Sequence, residues 1–345
     1  MSRQFGITPV TADEVGQHLQ SGSQQAVNVP LGPGQPPYRL ELPSVKAEFA
    51  DGTKPLTLGA FGDSGGVKDP NPQGKLAAAL VGDKSLQALY HLGDVVYFEG
   101  ADAEYGPQFF EPYAYVNVPI FAIPGNHDCE GGQFDSFVKY FCAPKVSLPP
   151  EWEEYGRTTM DQPNPYWTLR APQVTVIGLA TNLPSGGEVD STQAEWLAEE
   201  LKAAPAGVPL IVALHHPPYS VDDHHGGSAR MGTVIDTAAA AAGRWPDLVL
   251  SGHVHDYQRF TRTVDGKTVV YVVAGAGGYH NLHSFASGAE KGLQVTQDTV
   301  FEGGVDNDWG YLRLTFPPAG KFGEQGIAGS YVNSGGTTVD TFEVK

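Results

Sequence analysis

The chain has 345 residues, with 21 Lys and Arg against 39 Asp and Glu, which gives a formal net charge of −18. That length allows one large α/β domain or two modest ones. A surface this acidic repels nucleic acid and anionic membranes, so neither is expected as a partner, and an anionic substrate would need strong positive charge at its own site.

No apolar run approaches the roughly 18 residues of a membrane span. The opening stretch MSRQFGITPVTADEVGQHLQSG lacks a hydrophobic signal core. The simplest expectation is a cytoplasmic protein, or a secreted or periplasmic one whose leader has been removed. Residues 1–53, Pro- and Gly-rich in PLGPGQPPYRLELP, read as an irregular N-terminal arm packed on a body spanning 54–345.

From residue 54 a rhythm sets in. PLTLGAFGD is a short apolar run ending at Asp63, and PQGKLAAALVGDKSLQ supplies a helix. ALYHLGDVVY ends at Asp94, with Tyr97 three residues on, and VPIFAIPGNHD ends at Asn126 and His127. The steps from Asp63 to Asp94 and from Asp94 to Asn126 are 31 and 32 residues, the length of a βαβ unit.

The second half continues the pattern. QVTVIGLATN is a strand. DSTQAEWLAEELKAA is a helix with Asp190 as its cap, Gln193 completing a capping box, and Leu197 and Leu201 on one face. PLIVALHHPPY ends at His215, and DLVLSGHVH ends at His253 and His255. FTRTVDGKTVVYVVAGAGG is a hairpin turning at Asp265-Gly266. Helices alternate with strands early and strands dominate late, so two packed sheets with helices outside are expected. The two cysteines, Cys129 and Cys142, form no metal-binding C-x-x-C pair. They are compatible with one loop-clamping bridge or with two free thiols.

Five strand ends therefore carry polar residues of one chemical kind: Asp63, Asp94 with Tyr97, Asn126 with His127, His215, and His253 with His255. In α/β sheets, sites form where loops converge at the carboxyl ends of strands. Singly these residues are unremarkable: a turn aspartate, a core tyrosine, a strand histidine. Together, carboxylate, phenol, amide and imidazole make a mixed oxygen and nitrogen set that suits iron, zinc or manganese better than calcium or magnesium. Glycines precede Asp63, Asp94, Asn126 and His253, and are expected to let the backbone turn sharply there.

The ordered motifs GD-x-G, GD-x-x-Y, GNHD, V-x-x-H and GH-x-H, over about residues 54–285, resemble the purple acid phosphatases among the calcineurin-like metallophosphoesterases. The resemblance implies an α/β fold, a four-layer α/β/β/α sandwich of two mixed sheets with flanking helices. It implies two metal ions. Asp63, Asp94, Tyr97 and His255 would hold ferric iron, and Asp94, Asn126, His215 and His253 would hold iron, zinc or manganese. Tyr97 stands in for a histidine that other relatives carry two residues after the first aspartate, where this chain has Gly65. His224 and His225, nine and ten residues beyond His215, match a histidine pair that reaches toward substrate. His127 would bind the phosphate or protonate the leaving oxygen, with Asp128 orienting its imidazole.

The implied reaction is phosphomonoester hydrolysis with a metal-bridging hydroxide as nucleophile. A phosphodiesterase or phosphotriesterase on the same scaffold is the first alternative, and a non-catalytic binding scaffold the second. Loops 98–112, 129–172 and 219–232 would shape the pocket, and the insert after Cys142 is expected to narrow it. His216 should face away from the site by strand alternation. His280 and His283 read as pocket rim or solvated loop, and His18 and His91 as ordinary. With about 55 residues ahead of the first motif, the N-terminal β-sandwich of longer family members is not expected.

Overall fold

The computed structural model describes residues 32–129, 134–182 and 186–345. Of the N-terminal arm, residues 1–31, His18 included, lie outside the described part. The rest of the arm is not irregular throughout. Tyr38, Leu42 and Phe49 are buried in the main core, and residues 39–41 form an edge strand.

Two mixed sheets pack face to face. The larger has eight strands: β1 (Arg39–Glu41), β5 (Trp167–Ala171), β6 (Val174–Gly178), β7 (Leu210–Leu214), β8 (Leu248–Ser251), β10 (Lys267–Ala274), β9 (Tyr257–Val264) and β11 (Thr299–Val305), in that spatial order. The smaller has six: β14 (Thr338–Val344), β13 (Ile327–Asn333), β12 (Gly310–Phe316), β2 (Leu56–Phe61), β3 (Ala88–His91) and β4 (Ile120–Ala122). The three strands read first from the sequence, β2, β3 and β4, run parallel as βαβ connections require. In the other sheet β6, β7, β8 and β10 run parallel. The predicted hairpin is the antiparallel pair β9 and β10. Val264 faces Lys267, with both turn residues in the left-handed region, Asp265 at φ 50° and Gly266 at φ 74°.

Side-chain alternation builds the layers. Ala88, Tyr90 and Phe121 join the core between the sheets, while Leu89, Ile120 and Ala122 face a second core on the outside. That outer core contains Leu76, Ala77 and Leu80 of helix α1 (Asn71–Gly82) and aromatic residues from the segment after β3. Across the larger sheet lie α2 (Ser191–Ala203) and α3 (Ala229–Ala242), packed against each other. The α/β/β/α order follows. Cys142 is a buried free thiol in the outer core, so the bridge reading falls.

Asp190 caps α2 by accepting from the Gln193 N–H at 2.7 Å. The second half of the expected capping box is absent, because the Gln193 amide instead takes both backbone groups of Ala180 at 2.8 and 3.0 Å, tying α2 to the end of β6. The insert after Cys142 also serves elsewhere. Gln162 bonds both backbone groups of Ala122 and so covers the open edge of β4, and Trp152 stacks on Phe110. Among the described residues no helix is long and apolar enough to cross a membrane.

Leu197 is fully buried in the main core. Its replacement by Ala should cost about 2–5 kcal/mol, whereas Asp190→Ala should cost about 1 kcal/mol. Urea unfolding reads both as lower midpoints with unchanged slope. Equal losses would contradict a helix anchored mainly by its buried face.

Candidate metal centre

Six loops meet at one edge of the sandwich, those following β2, β3, β4, β7, β8 and β10. The residues that project from them have unusual backbones. Asp63, Asp94 and His253 all have positive φ, at 60°, 54° and 67°. Non-glycine residues seldom adopt that conformation, and a cluster of three marks a place where function outweighs local strain. The glycines act differently from expectation. Only Gly93 of the four has positive φ. Gly125 is needed for space, since a Cβ there would sit 2.2 Å from Asp94 Oδ1.

The structure brings all seven candidate ligands together. On one side, Tyr97 Oη lies 3.4 Å and Asp63 Oδ1 3.5 Å from His255 Nε2. On the other, His215 Nε2 lies 3.1 Å from Asn126 Oδ1 and 3.4 Å from Asp94 Oδ2. Asp63, Asp94 and His215 offer atoms within 4.8 Å of one another and so join the two sides. His253 offers a nitrogen within the same distance of His215 and His216.

Backbone groups aim these side chains. His215 Nδ1 bonds the Leu92 carbonyl at 2.8 Å, and His255 Nδ1 bonds the Asn281 carbonyl at 2.7 Å, so each presents Nε2 to the site. Asp63 Oδ2 accepts from the His253 N–H, and Asp94 Oδ1 from the His127 N–H, both at 2.8 Å. Asp63 Oδ1 remains buried without a hydrogen-bond partner.

The electrostatics are those of a site short of positive charge. Burial pushes the Asp63 carboxyl up, and although His215 and His255 oppose this, Asp94 adds to it. Burial acts the same way on Asp94, but the His215 imidazole holds that carboxyl well below its usual range. Burial would lower His215, yet Asp94 and Asp63 lift it to about 9. Burial and the charges of Asp94 and Asp63 drive the Tyr97 phenol well up. An orphaned carboxylate oxygen, a phenol beside it and imidazole nitrogens aimed inward fit metal cations of the iron, zinc or manganese kind.

His127 stands beside this set. Its Nδ1 bonds the Phe98 carbonyl at 2.7 Å, and its ring lies 4.5 Å from that of Tyr97. Asp128 does not orient it. Both Asp128 oxygens are taken by backbone N–H groups, those of Val95, Val96 and Gly125, so this buried carboxylate braces the two loops that carry Asp94 and Asn126. Burial and the nearby Asp94 push its carboxyl up to about 8. His225 stacks on His253 with ring centroids 4.4 Å apart, and His224 adjoins it. Burial, with His283 and His224 beside it, lowers His225 to about 4.

His216 is not carried away by alternation, because β7 stops at Leu214. Its ring packs 4.4 Å from that of His253, with Nδ1 held by the Thr181 hydroxyl at 2.9 Å. His91 is buried and bonds Ser64 Oγ at 2.8 Å, and burial lowers it to about 3. The loop after β10 was the part sequence reasoning underused. It supplies Tyr279, stacked 4.1 Å from Tyr97, the Asn281 carbonyl, and a buried His283 stacked 4.3 Å from His255. Only the parallel pairing of β10 with β8 brings its end to the same edge.

A family model described as Calcineurin-like phosphoesterase matches residues 57–257. Among curated proteins of Arabidopsis thaliana, purple acid phosphatase 15 is 27% identical over 220 residues, 59% of this chain and 37% of that protein. Purple acid phosphatase 23 is 30% identical over 182 residues, 50% and 36% of the two chains. The match thus spans little more than a third of these relatives' length. Two solved structures share the fold, each at a TM-score of 0.59. A purple acid phosphatase from yellow lupin (Lupinus luteus) seeds is 18% identical, with 84% of this chain and 53% of that one covered. GAP50, the anchor in the inner membrane complex of Plasmodium, is 15% identical, with 85% and 89% covered. The chain belongs to the calcineurin-like phosphoesterase family, as a member resembling the purple acid phosphatases.

Proposed function

We propose that this chain hydrolyses phosphate monoesters at a dinuclear metal centre. The observation that carries the reading is the buried Asp63 Oδ1, which has no hydrogen-bond partner, with Tyr97 and His255 on its side of the cluster and Asp94, Asn126 and His215 on the other. In this reading Asp63, Asp94, Tyr97 and His255 would hold one ion, and Asp94, Asn126, His215 and His253 the second. Ferric iron suits the side with the phenol, and iron, zinc or manganese the other. Two such ions would supply Lewis acidity toward the phosphoryl oxygens and a water made nucleophilic at mild pH.

The chain's own residues do the rest. Leu92, Asn281 and the N–H groups of His127 and His253 keep the ligand side chains in place before substrate arrives. His127, anchored through Nδ1 to the Phe98 carbonyl, carries any second proton on Nε2 and delivers it to the leaving alkoxide oxygen. His224 and His225 bind the phosphoryl group. Partial burial and the neighbouring His283 and His224 hold His225 below the usual imidazole range, which favours a hydrogen bond over charge. A surface of net charge −18 repels an anionic substrate, so attraction must arise locally at this site.

GAP50, the anchor in the inner membrane complex of Plasmodium, has the same fold. What favours chemistry here is that every polar position of the cluster is filled and aimed. A panel of aryl phosphate mono-, di- and triesters should show the monoester turned over fastest. Preferred turnover of the diester or triester would move the reaction class.

Asp94→Asn should lower the bound metal on both sides at once, measured by elemental analysis. His127→Ala should keep the metal and slow turnover by about 10²–10⁴-fold. Tyr97→Phe should remove any visible charge-transfer band from iron-loaded protein while His127→Ala leaves it. A wild-type protein that binds no metal would end this reading.

A further inference from the structure

A second cluster of metal-binding groups lies just outside the first. His224, His225 and His283 each offer an imidazole nitrogen within 4.8 Å of the other two. The fold builds this proximity. The Asp223 N–H bonds the Ser284 carbonyl at 3.0 Å, the Ala286 N–H bonds Val221 at 2.8 Å, and Asp222 and Phe285 form an antiparallel bridge between them. That short ladder joins the loop after β7 to the loop after β10. The three histidines flank it.

One carboxylate then organises all three. Asp222 Oδ2 accepts from the backbone N–H groups of His224 and His225 at 3.2 and 3.0 Å. Asp222 Oδ1 accepts from Gly226 N–H at 2.9 Å and Ser220 Oγ–H at 2.7 Å. His283 Nδ1 accepts from the His255 N–H at 3.3 Å and also lies 3.3 Å from Asp222 Oδ2. Binding a cation through Nε2 would move the ring proton to Nδ1, where Asp222 can accept it, the carboxylate–histidine arrangement common behind metal-binding imidazoles.

Ring geometry fits a shared ion. The three ring centroids are 4.6, 4.7 and 4.9 Å apart, and the planes are mutually tilted by 66°, 55° and 60°. Three imidazoles around a tetrahedral zinc, with ordinary zinc–nitrogen bonds, place their centroids about 5 Å apart. Against the inner histidines the rings are nearly parallel instead, His225 on His253 at 28° and His283 on His255 at 24°. The tilted set is thus arranged differently from the stacked inner pairs, with one nitrogen of each ring within 4.8 Å of the others.

We propose that His224, His225 and His283 form a further zinc site at the mouth of the dinuclear centre, with Asp222 as the positioning carboxylate. Its fourth position is open to water or to a phosphate oxygen. Three imidazole nitrogen donors favour zinc over calcium or magnesium. Occupation of this site engages the two imidazoles assigned above to the phosphoryl group, so excess zinc slows turnover. That consequence rests on the proposed function, while the site itself rests only on its own residues.

Equilibrium dialysis against zinc ion, starting from protein whose inner centre is filled, tests it. Wild type should bind about three ions per chain, and both His283→Asn and His224→Asn about two. His224 is exposed, so its variant keeps the test valid if the buried His283 proves necessary for folding. Saturation of wild type at two ions, or three ions retained by a folded variant, overturns the site. Failure of the proposed function looks different. The inner centre then takes up no ions, and the outer site alone gives one ion in wild type and none in the variants.

Discussion

Two carboxylates buried where the loops meet, Asp63 and Asp94, demand positive charge between or beside them. Much of the surrounding structure answers that demand. His215 is drawn toward its charged form by the pair, backbone N–H groups take one oxygen of each aspartate, and still one oxygen of Asp63 has no hydrogen-bond partner. The strained φ values of Asp63, Asp94 and His253 persist because neighbouring strands and loops over-determine them. A protein selected only for stability would not keep such a cluster, since an apolar replacement would be easier to bury.

Rigidity comes from the layer behind the cluster. Asp128 joins the Asp94 loop to the Asn126 loop through three backbone bonds. Asp222 ties its own loop after β7 through the N–H groups of His224 and His225 and meets the loop after β10 at the His283 ring. Both carboxylates are engaged in loop contacts. Their effect is to fix the spacing of side chains that come from different strands of two different sheets, which is what pre-organised chemistry requires.

The part of this legible in the sequence was the part written locally. Each of five strand ends packs its chemistry within a few residues of a glycine, and the 31- and 32-residue steps between the first three expose the βαβ frame. Local order also carried the α2 cap and the hairpin at Asp265-Gly266. What stayed hidden depends on partners distant in the chain. Gln193 looked like half of a capping box, but Ala180 lies within reach only after β6 and α2 have packed. Asp128 looked like a partner of the adjacent His127, but in the fold its oxygens meet Val95 and Val96. Tyr279 and His283 gained meaning only from the parallel pairing of β10 with β8. Helix α3 was the exception, passed over although Ser228 caps it and Gly243 ends it in the left-handed conformation.

The most direct test of the dinuclear centre is anomalous diffraction from crystals of the metal-loaded protein, recorded at the iron, zinc and manganese absorption edges. Two peaks are expected, one at bonding distance from Tyr97 and His255 and the other from Asn126 and His215, with Asp94 touching both. A single peak clear of Asp94, or none inside the cluster, would contradict the two-ion cage.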